Sequence, residues 1–530
     1  MALARLPLVA ATVCALVFLL AAPATHARAL VYCAESSPEG FDPGLWDSIG
    51  THNTTAQLFQ GLVDFEPGST KLRPALADSW IISPDARTFV FHLRQGVHFH
   101  TTAYFTPTRE FNADDVMFTF GRFLHPKHPF NLAFPATFIY PQNLGLADMV
   151  VALDKIDDHT VRFTLKEPNV AFLSYFAMNF AGIQSAEYGA KLLLEGKASR
   201  INNYPIGTGP YRFKSYKKDE VVRMEANPDY WRGKQLTDKL IYAIAPDPNV
   251  RVNKLLAGEC QVLSTVRDAD IPVLAKRPNI VLRKIQGLNI SYLSFNMKHA
   301  ATSKREVREA LDIAIDRNAI FKALFPRGDA VQAVGPFPSI VPGFNKNLTN
   351  EYNPERAKQL LAKAGYGKGL ELDLWALPVV RPMNPNGQLL AQLIQQDWAK
   401  IGATANIKTY EWGEYLKRAR VGEHDVYMSG WSSDTGDADD FLSPNLTSAA
   451  NRPGCYKFCN AEFDKLVDTA RMTTDQDKRV KLYEKALEIF KRERPWITLA
   501  HSAIYIPMTN DVKGFVMSPN GGVIFENVYR

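Results

Sequence analysis

Beyond Ala29 the sequence has no apolar run of about 18 residues, so the body of the chain carries no segment that would span a bilayer as a helix. It has no basic block. Lys and Arg number 61 against 55 Asp and Glu, with both signs spread along the chain, which argues against a nucleic-acid partner. Gly-x-Ser-x-Gly, His-Glu-x-x-His, P-loop and Cys-x-x-Cys-His motifs are all missing, so nothing in the sequence argues for an exported hydrolase. Internal repeats, low-complexity tracts and flexible linkers are missing too, so any domains must be joined by short crossovers. Cysteine is scarce, at 5 in 530 residues. What is abundant is ordinary core material: 46% hydrophobic and 11% aromatic residues mark an ordered globular protein with room for more than one core.

The N-terminus reads as a signal peptide, residues 1–29. Arg5 supplies the positive start, Leu6 to Ala22 the apolar run, and Ala27-Arg28-Ala29 the small residues of a cleavage site. Cys14 lacks the small residues that precede a lipidated cysteine, so the reading is export to the periplasm of a Gram-negative cell and not a lipoprotein or membrane anchor. Without Arg5 and Arg28 the net charge of +6 becomes +4. Four cysteines remain: Cys33, Cys260, Cys455 and Cys459. An even count in an exported protein favours two disulfides, for which three connectivities exist. Closeness in sequence favours Cys455–Cys459, which leaves Cys33–Cys260. Half of a zinc site is the rival for Cys455-x-x-x-Cys459, but no nearby Cys or His completes it.

The order of elements predicts a mixed α/β fold. Leu30-Val-Tyr-Cys is a short apolar strand, and Thr88–Arg94 and Thr160–Leu165 alternate as half-buried strands do. Asn112 is placed to cap a helix from Ala113. Helical spacing runs from Val307 to Asp316. Asn353-Pro354 opens another helix with Gly365 at its end. Gln388–Ile401 and Asp475–Arg492 read as amphipathic helices. His98 and His100 alternate beside His92 in the manner of exposed strand histidines, and no metal site is expected there.

Two charged residues stand out in loops of the second half. Arg381 opens Arg-Pro-Met-Asn-Pro-Asn, and Asp434 lies in Gly430-Trp-Ser-Ser-Asp-Thr-Gly-Asp. A short peptide is a zwitterion that needs an anion for its ammonium and a guanidinium fork for its carboxylate. The run Asp434-x-Gly-Asp437-x-Asp439 also suggests a turn or a calcium loop, but it lacks the twelve-residue spacing and final Glu of an EF-hand.

Other stretches carry a family resemblance. They are Leu76-Ala-Asp-Ser-Trp, Ser83-Pro-Asp, Phe91-His-Leu-Arg-Gln-Gly-Val-His-Phe-His, Asn112-Ala-Asp-Asp-Val-Met-Phe and Pro205-Ile-Gly-Thr-Gly-Pro-Tyr. In this order they resemble the cluster-C extracytoplasmic solute-binding proteins of ABC importers. The N-terminal Leu30–Phe41 stretch, the Arg381 loop, Thr409-Tyr-Glu-Trp-Gly-Glu-Tyr-Leu-Lys-Arg and the Asp434 loop are similar to its dipeptide-binding branch.

The resemblance implies a type II-like periplasmic binding fold of two lobes and three domains closing over a ligand. Domain I would comprise 30–60, 195–285 and 505–530, domain II 61–194 and domain III 286–504, with Cys33–Cys260 joining two pieces of domain I. It further implies that Asp434 holds a ligand ammonium and Arg381 its carboxylate. Gly430, Trp431 and Ser432 would offer backbone groups, and Trp412 would form a wall. The implied role is a monomeric, cofactor-free, non-enzymatic receptor. It would pass dipeptides to an inner-membrane ABC permease and its ATPase subunits, with glutathione or haem as the other ligands known among such relatives. Ser432-Ser433 before Asp434 and the short Cys455–Cys459 spacing depart from the pattern and concern the pocket rim.

Overall fold

The computed structural model describes residues 29–46, 48–264, 266–267, 269–410, 412–449 and 458–530. Alternation makes the first strands. Thr88–Leu93 buries Phe89, Phe91 and Leu93 and leaves the residues between them half-exposed. Thr160–Leu165 buries Val161, Phe163 and Leu165 in the same way. The two pair antiparallel with Phe91 opposite Val161. Ala77–Ile82 and Val150–Asp157 complete a four-stranded sheet around them. The helix Ala113–Leu124 shares a core with this sheet, built from residues between Leu62 and Ile206. Its N-terminus carries the expected cap: Asn112 accepts from the Asp114 N–H, and Asp115 accepts from the Asn112 N–H.

The large sheet is assembled from both ends of the sequence. From one edge it runs Ala403–Lys408, Leu370–Trp375, Val426–Ser432, Asn289–Phe295, Trp496–Thr509, Val262–Leu263, Ala29–Ala34, Lys239–Ile244, Val221–Ala226 and Tyr211–Lys217. Asn289–Phe295 is buried at every position, as a strand covered on both faces must be. Trp496–Thr509 has 14 residues and pairs with four strands, among them Val262–Leu263 and Ala330–Gln332. Its first part pairs with Asn289–Phe295 and its last part with Ile280–Gln286. Where the pairing changes over, the Asn289 side chain takes the place of a ladder bond. It accepts from the Ser502 N–H at 2.8 Å, and the His501 ring nitrogen Nδ1 donates to the Asn289 carbonyl at 2.6 Å.

Cys33 and Cys260 form a disulfide, their Cα atoms 5.8 Å apart, beside the parallel pairing of Ala29–Ala34 with Val262–Leu263. Cys459 is also held in a disulfide. Cys455 lies outside the described residues, as does the signal segment up to residue 28.

Two expectations are corrected. The periodic run Val307–Asp316 is not one helix. Arg305–Ile313 stops, and Asp316 caps a second helix, Arg317–Leu324, by accepting from the Ala319 N–H, while its own N–H is taken by Asp397. His100 is neither in a strand nor exposed. It is fully buried, its Nε2 donating to the Gly209 carbonyl at 3.0 Å and its Nδ1 accepting from the Gly207 N–H.

Burial pulls the pKa of His100 and of His501 down to about 4, so both stay neutral in the fold. In the unfolded chain each titrates near 6.5. Protons therefore favour the unfolded chain between these values. Stability is full above pH 6.5 and should fall as pH drops towards 4, by on the order of 3 kcal/mol per histidine. Denaturation midpoints measured from pH 7.5 to 4 should show this decline, and His100→Gln should flatten its slope.

A buried ion pair ties the N-terminal segment to the four-stranded unit. Arg122 Nη2 meets Asp42 Oδ2 at 2.6 Å with both side chains fully buried, and Gln184 donates to the other Asp42 oxygen at 2.9 Å. The guanidinium lies over Phe130 and Phe138, 4.8 and 5.0 Å from their centroids, and its Nε and Nη1 have no hydrogen-bond partner among the described residues. Asp42→Ala would strand that cation in an aromatic box. The expected loss is about 3–5 kcal/mol in chemical denaturation.

Candidate functional site

Asp434 projects because its neighbours are tied inward. The hydroxyls of Ser433 and Thr435 both donate to Asp440 Oδ2, at 2.6 and 3.2 Å. The Ser433 N–H donates to the Leu288 carbonyl and the Gly436 N–H to Ser433 Oγ, which closes the turn. Gly436 is required here: its φ is +67°, and a Cβ would lie 2.3 Å from Thr70 Cγ2. Burial raises the pKa of Asp440, an effect that its Ser433 bond opposes and the Asp434 charge reinforces. The other carboxylates of the run are structural. Asp437 caps the helix Ala438–Leu446 and takes a bidentate bond from Arg479 at 2.6 and 2.8 Å. Asp439 is buried and pushed up to about 6. Asp437 and Asp439 are thus occupied by contacts within the fold.

Asp434 itself is exposed and lines a cavity of about 560 Å³. The remaining walls come from 49–68, 177–182 and 514–527, with Tyr140, Tyr230, Arg73 and Arg232. The cavity's guanidiniums are already neutralised: Arg73 and Arg232 meet Asp64 at 2.7 and 3.0 Å, and Arg232 meets Glu526 at 3.3 Å. Asp434 makes no ion pair with any described residue. Its Oδ2 accepts from the Tyr140 hydroxyl.

Gly430, Trp431 and Ser432 end the strand Val426–Ser432, which leads to Asp434. One edge of that strand is paired with Asn289–Phe295 throughout. On the other, Leu370–Trp375 pairs only with Val426 and Tyr427, so the last residues have no strand partner there among the described residues. Trp431 is half-buried, and its Nε1 has no hydrogen-bond partner among the described residues.

The Arg381 loop packs beside this strand. Arg381 and Asn384 exchange backbone bonds at 3.1 and 2.9 Å, which turns Met383 and Asn384 inward. A Cβ at Gly430 would sit 2.9 Å from the Ile290 carbonyl and 3.3 Å from Met383 Cε, so glycine is what lets the loop approach. The Arg381 guanidinium is exposed, lies 5.4 Å from the Trp412 ring centroid, and donates to the Val380 carbonyl. It pairs with no carboxylate among the described residues. Trp412 in turn stacks on Tyr415, whose hydroxyl donates to the Met428 carbonyl at 2.8 Å.

All six residues singled out in the sequence thus lie on or beside one strand end, but they divide. Asp434 faces the cavity, whereas Arg381, Trp412, Gly430, Trp431 and Ser432 stand outside its lining. The sequence reading missed the cavity and Tyr140. Tyr140 comes 294 residues before Asp434, and nothing local marks it beyond an aromatic-rich stretch.

The chain is similar to known proteins over almost its whole length. Residues 71–453 match the family model for bacterial extracellular solute-binding proteins, family 5. It is 46% identical to di/tripeptide-binding protein 1 of Pseudomonas aeruginosa (strain UCBPP-PA14), covering 94% of each chain. The structure of HbpA2 from Haemophilus parasuis superposes with a TM-score of 0.91 at 40% identity, over 94% of this chain and 99% of that one. The dipeptide-binding protein from Pseudoalteromonas sp. SM9913, solved with Met-Leu, gives 0.74 at 37% identity, over 95% and 100%. The chain belongs to the family 5 extracellular solute-binding proteins of bacteria.

Proposed function

We propose that this chain is a periplasmic receptor that captures dipeptides by both charged ends and delivers them to an ABC permease with its ATPase subunits. It acts as a monomer and not as an enzyme. The observation that carries the reading is a pair of unneutralised charges of opposite sign. Arg381 and Asp434 flank one free strand edge, while the cationic side chains inside the cavity are already matched by carboxylates. Arginine's planar fork suits a carboxylate, and Trp412 beneath it limits its orientation. Between the anchors, the open edge of Ser429–Ser432 suits the one peptide unit that every dipeptide shares, as in β-augmentation. Side chains play no part in this scheme, so many sequences are accepted. Proteins similar to this one include a di/tripeptide-binding protein and a dipeptide-binding protein solved with Met-Leu.

The division into 30–60, 195–285 and 505–530, then 61–194, then 286–504, is proposed with this function. Its support is the separate four-stranded sheet inside the second part and the changeover of Trp496–Thr509 between partners. Each part has its own apolar cluster. No helix among the described residues is long and apolar enough to cross a membrane.

Removing one anchor should expose the other charge to an unmatched ligand end. Asp434→Ala should weaken a free dipeptide by at least about 2 kcal/mol, some thirtyfold, in calorimetry. Arg381→Lys should also fall short, because a point charge cannot reproduce two parallel bonds. Near-native affinity in Asp434→Ala would remove it from the site.

Length and end-group selectivity test the scheme itself. Single amino acids cannot reach both anchors, and each added residue lengthens an extended peptide by about 3.3–3.6 Å. N-acetylated and C-amidated dipeptides should each bind much more weakly than the free parent, whatever their side chains. Equal binding of blocked and free forms would defeat the reading. Mass spectrometry of cargo released from denatured protein distinguishes a dipeptide from glutathione or haem.

A further inference from the structure

We infer that the backbone contact between Val170 and Arg471 is a latch outside the cavity, which holds two parts of the fold together and slows ligand release. This rests on the proposed receptor function and on the proposed division of the chain, in which Val170 falls in 61–194 and Arg471 in 286–504. The Val170 N–H donates to the Arg471 carbonyl at 2.8 Å. Neither residue lines the cavity.

Each side offers the group that its own segment leaves over. Between Asn169 and Ser174 every other N–H is satisfied within 61–194. Those of Asn169, Phe172, Leu173 and Ser174 go to the carbonyls of Ala86, Asn169, Val170 and Ala171, and that of Ala171 to the Asn169 side chain. The Val170 N–H alone among them crosses over. On the other side the helix Ala461–Met472 comes to its end, and the final carbonyls of a helix have no partner inside it. Arg471 supplies one of these.

Both sides are held firmly. Phe172 is buried in the core of the four-stranded unit, 5.1 Å from the Phe89 ring. Next to Arg471, the Ala470 carbonyl accepts from Arg479 Nε at 3.2 Å, and Arg479 grips Asp437. The latch is thus coupled through Arg479 to the turn that carries Asp434. Electrostatics also bring the two surfaces together. Burial raises the pKa of Tyr175, in the helical turn Phe172–Tyr175, and the charges of Asp439 and Asp440 across the contact raise it further.

A contact made only while two parts are together adds to ligand affinity without touching the ligand. Its loss speeds release and leaves capture unchanged. It meets no ligand group, so it does not alter the choice between free and blocked ends.

The test measures capture and release of the dipeptide Met-Leu by stopped flow on wild type, Val170→Ala and Val170→Pro. Alanine keeps the N–H and proline removes it. Val170→Pro should release Met-Leu about fivefold faster at an unchanged capture rate, the worth of one neutral hydrogen bond, and Val170→Ala should match wild type. The ratio of affinities for free and N-acetylated Met-Leu should be the same in all three. A Val170→Pro release rate equal to that of wild type would overturn the inference, and so would a changed ratio. Should proline prevent folding, Val170→Cys combined with Arg471→Cys tests the same contact. Oxidised with Met-Leu bound, this pair should cross-link and release the peptide at least about tenfold more slowly than when reduced. No cross-link, or equal rates, would overturn the latch. Wild type that binds free and N-acetylated Met-Leu alike would instead defeat the proposed end-group scheme, while the release rates still decide the latch.

Discussion

A half-buried carboxylate sets the direction of an exposed one. Asp440 gathers the hydroxyls on either side of Asp434, so residue 434 has only the outward direction left. The same turn is fixed to Leu288 through Ser433 and to the helix Gln476–Glu493 through Asp437 and Arg479. Remove Asp440 and the hydroxyls of two buried residues lose their acceptor. The Ser432-Ser433 departure from the family pattern has a use in this light, since Ser433 supplies one of the two tethers. The free anion is rigid because its neighbours have no freedom.

At Arg381, rigidity comes from aromatic packing. Arg381 lies over Trp412, Trp412 on Tyr415, and Tyr415 is bonded to the backbone of the strand that ends at Asp434. Met383 against Gly430 brings the loop onto that strand. The two charges are thus carried by different devices on one piece of backbone. Inside the cavity, by contrast, the guanidiniums of Arg73 and Arg232 are matched by Asp64 and Glu526.

The legible part of this molecule is local. The Asn112 cap, the Thr88 and Thr160 strands and the Asp475-capped helix follow from periodicity and capping chemistry that act within a few residues. Arg381 and Asp434 stand out in the sequence as charged loop residues, and both are exposed in the structure. The helix break after Ile313 was not legible, because Asp397, 81 residues on, takes the Asp316 N–H. His100 misled because alternation with His98 resembles a strand, whereas its burial depends on the backbone of Gly207 and Gly209. Tyr140 and the cavity were hidden for the same reason: they exist only where segments distant in sequence meet. A single sequence records which groups are present and which neighbours they cap, but not which remote backbone they face.

Trp496–Thr509 passes unbroken from one half of the large sheet to the other. A strand resists stretching, since its rise of about 3.3 Å per residue is fixed by covalent geometry, yet it bends and twists at little cost. The two halves are therefore joined as leaves on a strap and not as beads on a string. The point where the strap changes partners is marked by one asparagine side chain that replaces a rung of the ladder.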